Sequence, residues 1–313
     1  MRNAFVQSLF ELAKNDQRIV LITGDLGFSV IEPFVEQLPR QFVNAGVAEQ
    51  NMTGMAVGMA LSGKVVFTYS IANFPTLRCL EQIRNDVCYH NANVKIVAVG
   101  GGFSYGSMGV THHAVEDLGV MRMLPGMVVV APGDPLEARL AAKACATHAG
   151  PCYLRLGKAG EPSVHTGEIN FQLGKAVVVR EGKDLALIST GALLRTTVDA
   201  ADKLAVLGIQ PRVLSMHTLK PLDSESVILA ARETGVVVTI EEHSIIGGLG
   251  SAVSEVLAEA SETEGVRFKR IGLPSEFSPH IGSQDYLRCQ HSLTAESIVD
   301  SVRSVLKTAK AVV

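Results

Sequence analysis

The 313-residue chain has no tryptophan, and aromatic residues make up only 5% of it. Five cysteines (Cys79, Cys88, Cys145, Cys152 and Cys289) are scattered without CxxC spacing. That pattern argues against a zinc site and against a disulfide framework, and it predicts reduced thiols in a cytoplasmic protein. No block of basic residues stands out and the formal net charge is -3, so nucleic acid is not an expected partner. The apolar stretches are too short, or too broken by Gly and polar residues, to span a bilayer, so no membrane association is expected. The first twenty residues, MRNAFVQSLFELAKNDQRIV, pattern as an amphipathic helix, not as a basic region followed by an apolar core. No signal peptide is therefore predicted.

What is present is a well-buried α/β pattern, with 47% apolar and 19% charged residues. Short β-branched runs, IVLITG (19–24), KVVFTY (64–69), VKIVAV (94–99), MVVVAP (127–132) and CYLRL (152–156), alternate with helical periods over 3–15, 48–61, 75–90 and 134–148. This is the rhythm of a parallel sheet covered on both faces. A polar, Gly-rich stretch with weak periodicity follows at 157–174. A second α/β unit then begins, with strands at 185–190, 211–216, 236–242 and 266–272 and a last helix from about 294. The predicted fold is two domains, each a mostly parallel sheet with helices on both faces: 1–160, a linker over 161–183, and 184–313.

One segment poses an electrostatic question. In NAGVAEQNMTGMAVGMAL (44–61), Glu49 is the only acid, at the head of a helical run that is apolar nearly all round and so expected to be buried. An unpaired buried carboxylate is costly, so a partner for Glu49 is required. An acid in a first helical turn is also an ordinary stabilising choice. In parallel sheets ligands collect beyond the carboxyl ends of strands. Asp25 and Ser29 fall there, as does the loop GGGFSYGSMGVTHH.

GVAEQNMTGMAVGMAL followed by a strand, the aromatic-containing helix YSIANFPTLRCLEQIR, the GVTHH segment and EEHSIIGGLGSAV (241–253) together resemble the transketolase family of thiamine diphosphate enzymes. The resemblance covers essentially the whole chain, as a pyrimidine-binding domain plus a C-terminal domain. It implies that Glu49 hydrogen-bonds the aminopyrimidine ring and favours the imino tautomer, which can take the proton from the thiazolium carbon. Phe74 is implied as the aromatic that stacks on this ring, with Tyr69 and Phe67 as alternatives. Thr111-His112-His113 is similar to the family's THQ motif, placing His112 beside the donor carbonyl as a hydrogen-bonding or proton-shuttling imidazole, with His113 next to it. Arg2, Ser29 and Lys158 match positions that bind the acceptor phosphate, and Asp25 matches the acid of the corresponding turn. Two positions depart from the pattern. Gly100 and Met108 stand where typical transketolases carry a His for phosphate and an Asp for a sugar hydroxyl, which puts standard pentose phosphate specificity in doubt.

No GDG followed by an NN-type segment is present, so the motif that holds metal and diphosphate in this family is missing, and no metal ligands are predicted in this chain. The resemblance therefore implies the C-terminal subunit of a split transketolase. A separate N-terminal subunit would supply the Mg²⁺ and diphosphate ligands, in an α2β2 assembly acting on sugars or sugar phosphates. Two other readings remain open. One is the beta subunit of a 2-oxo acid or acetoin dehydrogenase, which usually shows an AAQHS-like segment where this chain has VTHHA. The other is a non-catalytic regulatory subunit that kept the fold.

Overall fold

The β-branched runs form strands because a central strand of a parallel sheet buries both of its faces. The computed structural model describes residues 1–307; the last six positions of the second predicted domain, 308–313, lie outside the described residues. In the first unit β1 (Ile19–Thr23), β2 (Phe42–Asn44), β3 (Val65–Ile71), β4 (Val94–Val99), β5 (Val128–Val130) and β6 (Cys152–Leu156) run parallel. Every residue of β1, β4, β5 and β6 is buried. Helices Arg2–Asn15 and Pro135–Thr147 cover one face over a core that includes Phe5, Leu9, Phe67 and Leu154. Helix Glu49–Leu61 and the segment 77–88 cover the other, over Met52, Val57, Ile83 and Tyr153.

The second sheet holds β7 (Val177–Arg180), β8 (Leu185–Ser189), β9 (Pro211–Ser215), β11 (Val236–Ser244) and β12 (Arg267–Leu273) in the order β12-β11-β8-β9-β7. It is parallel except for β7, which lies antiparallel to β9 and falls inside the stretch expected to be linker. The short β10 (Thr218–Lys220) crosses back and pairs antiparallel with β5, giving the first sheet the order β10-β5-β6-β4-β3-β1-β2. Among the described residues no helix is long and apolar enough to cross a membrane.

Two expectations are corrected. The predicted helix over 75–90 is broken into a 3₁₀ turn (Leu77–Cys79), a short α segment (Leu80–Gln82) and a π segment (Ile83–Cys88). Such segments re-aim side chains near functional sites. Helix Glu49–Leu61 is not buried all round: its covered face is Glu49, Met52, Thr53, Ala56 and Val57, while Leu61 is 64% exposed. A side chain added at Gly54 or Gly58 would meet nothing. Gly and Ala make the run look apolar without giving it surface that this chain must cover. The short elements Glu32–Gln37, Asp117–Met123 and Gln284–Gln290 escape prediction because they are too short to display a period.

The EEHS segment of β11 joins the two units. Glu241 accepts the N–H groups of Leu249 and Gly250, both at 2.7 Å, at the start of helix Leu249–Glu259. Glu242 accepts the Phe103 N–H at 2.9 Å and is held by Gln284 and Arg288. His243 Nε2 accepts the Gly119 N–H at 3.2 Å. The loop after β4 is thus tied to the second sheet by backbone hydrogen bonds to buried side chains.

Candidate active site

The loops that follow β1, β2, β3, β4 and β6 meet at one carboxyl edge of the first sheet, where a parallel sheet collects ligands. Glu49 opens its helix there and is only 2% exposed. Its Oε2 accepts from Arg78 Nη1 at 2.8 Å, and the Arg78 guanidinium carbon lies 4.3 Å from the centroid of Phe74. Phe74 in turn meets the His112 ring edge-on, centroids 5.2 Å apart at 73°. On the other side of Glu49, a Cβ at Gly24 would stand 3.5 Å from Ser70 Oγ and 3.6 Å from Glu49 Oε1. Ser70 Oγ is buried with no hydrogen-bond partner. The lone carboxylate at the head of this helix thus has an ion-pair partner, Arg78, and one oxygen turned toward a small polar space.

His112 ends a 3₁₀ turn, Val110–His112, that is pinned by Asn73, whose side-chain amide donates to the carbonyls of Thr111 (3.2 Å) and His113 (2.9 Å). The Nδ1 of His112 pairs with Thr111 Oγ1 at 2.9 Å. Burial, with the His113 charge added, holds the His112 pKa below the ordinary imidazole value. A neutral ring with Nδ1–H donating to Thr111 leaves Nε2 as the acceptor. His113 turns the opposite way: it is buried, its Nε2 lies 3.2 Å from the Gly106 carbonyl, and it packs edge-on against Phe103 at 5.0 Å.

A cationic end lies beyond His112. The Tyr105 ring is 6.2 Å from the His112 ring, and Lys158 Nζ lies 4.8 Å from the Tyr105 centroid. Near Arg2 lies the buried Tyr69, whose phenol is pushed well above its usual range by burial, with the Arg2 charge opposing the shift. Among the described residues neither Arg2 nor Lys158 has a carboxylate partner. Asp25 and Ser29 occupy the loop after β1 with φ of 55° and 66°, conformations that non-glycine residues rarely adopt. Asn44 Nδ2 donates to Asp25 Oδ1 at 2.9 Å, and the Ser29 N–H donates to Glu32 Oε1 at 2.6 Å. Gly27 lets this loop settle against Tyr69, to which a Cβ would come within 3.3 Å. Phe67 is fully buried against Phe5, centroids 6.1 Å apart, in the core under helix Arg2–Asn15.

The structure therefore brings Glu49, Phe74 and His112 into one run of contacts, and next to His112 sets Tyr105, with Lys158 near its ring and Arg2 and Tyr69 in its electrostatic neighbourhood. Arg78, Asn73 and Tyr105, which join these residues, do not stand out in the sequence. The only signal is an aromatic and an arginine four apart in ANFPTLR, a spacing that many surface segments share.

Residues 1–160 match the family described as "transketolase, pyrimidine binding domain", and residues 174–298 match "transketolase, C-terminal domain". An apulose-4-phosphate transketolase subunit of Phocaeicola vulgatus is 40% identical, over 98% of this chain and 97% of that protein. A 6-deoxy-6-sulfo-D-fructose transketolase subunit of a Clostridium species is 39% identical, over 97% of this chain and 94% of its own length. A solved structure described as a split gene transketolase, inactive beta4 tetramer, superposes with a TM-score of 0.88 at 38% identity, covering 98% of this chain and 97% of that one.

Proposed function

Because the chain belongs to the transketolase family, we propose that it is the C-terminal subunit of a split, thiamine diphosphate-dependent transketolase. It moves a two-carbon ketol unit from a ketose donor to an aldose acceptor, together with a separate N-terminal subunit. The observation that carries this reading is the buried Glu49 carboxylate in continuous contact, through Arg78 and Phe74, with His112. Support for the division into subunits comes from the two relatives named as transketolase subunits, which this chain matches over nearly their full length.

The residues suit the ring end of the cofactor. Glu49 Oε1 and the unpartnered Ser70 Oγ face one buried polar space beside Gly24, and Phe74 offers an aromatic face. When bound, thiamine diphosphate supplies the carbon nucleophile that carries the ketol unit. Glu49 holds a proton at a ring nitrogen. Phe74 orients the ring by stacking. Arg78 fixes one Glu49 oxygen and leaves the other for the ring. His112 Nε2 accepts a proton from a substrate hydroxyl and returns it, a role that needs the neutral imidazole its environment favours. Arg2 and Lys158, without carboxylate partners, receive the anionic end of a sugar phosphate or similar substrate. Asp25 and Ser29 line the loop at that end, and Tyr69 backs Arg2.

Among the described residues no group of three or more His, Cys, Asp or Glu could hold a metal ion, and on this reading Mg²⁺ and the diphosphate are held by the partner subunit. The open face of helix Glu49–Leu61 is the proposed surface for a second copy of this chain, in an α2β2 assembly in the cytoplasm. The test is co-purification with the N-terminal subunit and assay of ketol transfer with thiamine diphosphate and Mg²⁺. Both subunits are required on this reading. Transfer by this chain alone overturns the split arrangement, and acylation of a lipoyl group in place of ketol transfer assigns the chain to a dehydrogenase complex.

A further inference from the structure

The loop after β4 contains a substitution of space that bears on which sugars the site accepts. Gly100 has φ of 94°, and a Cβ built on it would come within 2.2 Å of two Tyr105 ring atoms. The Tyr105 ring therefore lies directly on the Gly100 backbone, and a side chain at 100 and the ring of 105 exclude each other. Tyr105 reaches this place because its own loop doubles back: Gly106 N–H donates to Phe103 O at 2.8 Å, and Met108 N–H to Tyr105 O at 2.8 Å. The next residue that departs from the family's pattern, Met108, is 60% exposed at the surface. Of the two departures, only the one at Gly100 is refilled, and it is refilled by a ring with a polar tip.

The surroundings of that ring define what it can do. Lys158 Nζ sits 4.8 Å from its centroid and the His112 ring lies 6.2 Å from it. Arg2 is near enough to act on its ionisation, and burial raises the phenol pKa above the ordinary value, so the hydroxyl is neutral and can donate. Its hydroxyl makes no hydrogen bond to any other described residue. Tyr105 thus neighbours both the imidazole proposed to serve the reacting end of a substrate and the cation proposed to serve its far end.

We propose that Tyr105 is a specificity-determining residue of the transfer reaction: its ring fills the space a side chain at 100 would take, and its hydroxyl hydrogen-bonds a hydroxyl of the acceptor sugar between His112 and Lys158. This rests on the ketol-transfer reading and deepens it. A site built to pair a substrate hydroxyl discriminates strongly against substrates that lack it, whereas a His at position 100 would displace the ring.

The test uses the two-subunit enzyme, with phosphorylated aldoses of three to five carbons and with glycolaldehyde, the shortest acceptor, as probes. For Tyr105→Phe, kcat/KM for the best phosphorylated aldose falls at least fivefold more than kcat/KM for glycolaldehyde, mainly through KM. Gly100→Ala, which drives a Cβ into the ring, shifts the same ratio in the same direction. The double variant Gly100→Ala/Tyr105→Ala is no worse than Tyr105→Ala alone, because the space is already vacated; this coupling holds even if each single variant loses some stability. Equal loss on both acceptors, no change in either, or additive effects in the double variant overturn the role of Tyr105 while leaving the ketol-transfer reading intact. Absence of transfer by the unsubstituted two-subunit enzyme overturns that reading, and the role of Tyr105 with it.

Discussion

Arg78 and Glu49 form an ion pair of unequal partners: Nη1 and Oε2 are 2.8 Å apart, the carboxylate side chain is 2% exposed and the arginine 45% exposed. Removing one side is therefore not equivalent to removing the other. Arg78→Ala leaves a buried carboxylate without its donor and destabilises the fold by about 1–3 kcal/mol, less than a fully buried pair because water reaches the arginine side. Glu49→Ala frees an arginine that solvent can hydrate and costs under about 1 kcal/mol. In ketol transfer the order reverses, with Glu49→Ala losing about 10²- to 10⁴-fold. Urea unfolding and steady-state rates of the two variants measure both halves of this prediction. An Arg78→Ala protein as stable as the parent shows that Glu49 is not held by this pair.

On the proposed mechanism His112 sets the acid side of the pH profile. Its pKa is lowered from 6.5, first by burial and then by the neighbouring His113, and in the proposed role the neutral ring is the working form. The rate therefore falls on acidification with a midpoint below 6.5, not at it. His112→Gln removes that limb and lowers kcat/KM by about 10²-fold or more. A limb that survives in His112→Gln belongs to another group.

Glu241 links stability to pH at the junction of the two units. Burial raises its pKa from 4.5 to about 7, against the two backbone N–H donors of helix Leu249–Glu259 that oppose the shift. The folded state then binds more protons than the unfolded state between these values, so the Glu241 contribution is fully present below 4.5 and is lost as pH rises through 7. At about 1.4 kcal/mol per pKa unit the difference is on the order of 3 kcal/mol. Glu241→Gln, which cannot ionise, removes this slope. The measurement is unfolding free energy against pH for both proteins, and parallel curves refute the assignment.

The open face of helix Glu49–Leu61 gives a prediction of opposite signs. Gly54 points into empty space, so Gly54→Leu raises the stability of the single chain by roughly 0.5–1 kcal/mol through helix propensity. On the proposed pairing of this face with a second copy, the same bulk weakens self-association at least tenfold. Sedimentation of the variant against the parent, with unfolding measured at low protein concentration, separates the two effects. Unchanged association moves the self-pairing surface elsewhere.

Much of the first sheet is legible in the chain because long β-branched runs at regular spacing carry their own period: VKIVAV and CYLRL are strands over the residues predicted. The second sheet is legible for the same reason, apart from β7, whose VVVR is short and lies in a polar neighbourhood. Less legible is 77–88, where a π segment breaks the helical period that the sequence displays. EEHSIIGGLGSAV is recognisable as a family segment, but its physical task is not. Its two glutamates and histidine accept backbone N–H groups from three separate segments, and linear order does not say which donors will be left without partners.

The sequence by itself determined the element types, the two-unit α/β architecture, the placing of Glu49 at a helix head and the resemblance to transketolases, because these depend on local period and on residues in fixed linear order. Only the tertiary structure decided that Glu49 meets Arg78, that Arg78 lies on Phe74, that His113 turns inward while His112 does not, and that Tyr105 occupies the space beside Gly100. Those contacts join loops that follow different strands, and their partners are set by how the strands are ordered in the sheet, which linear spacing does not encode.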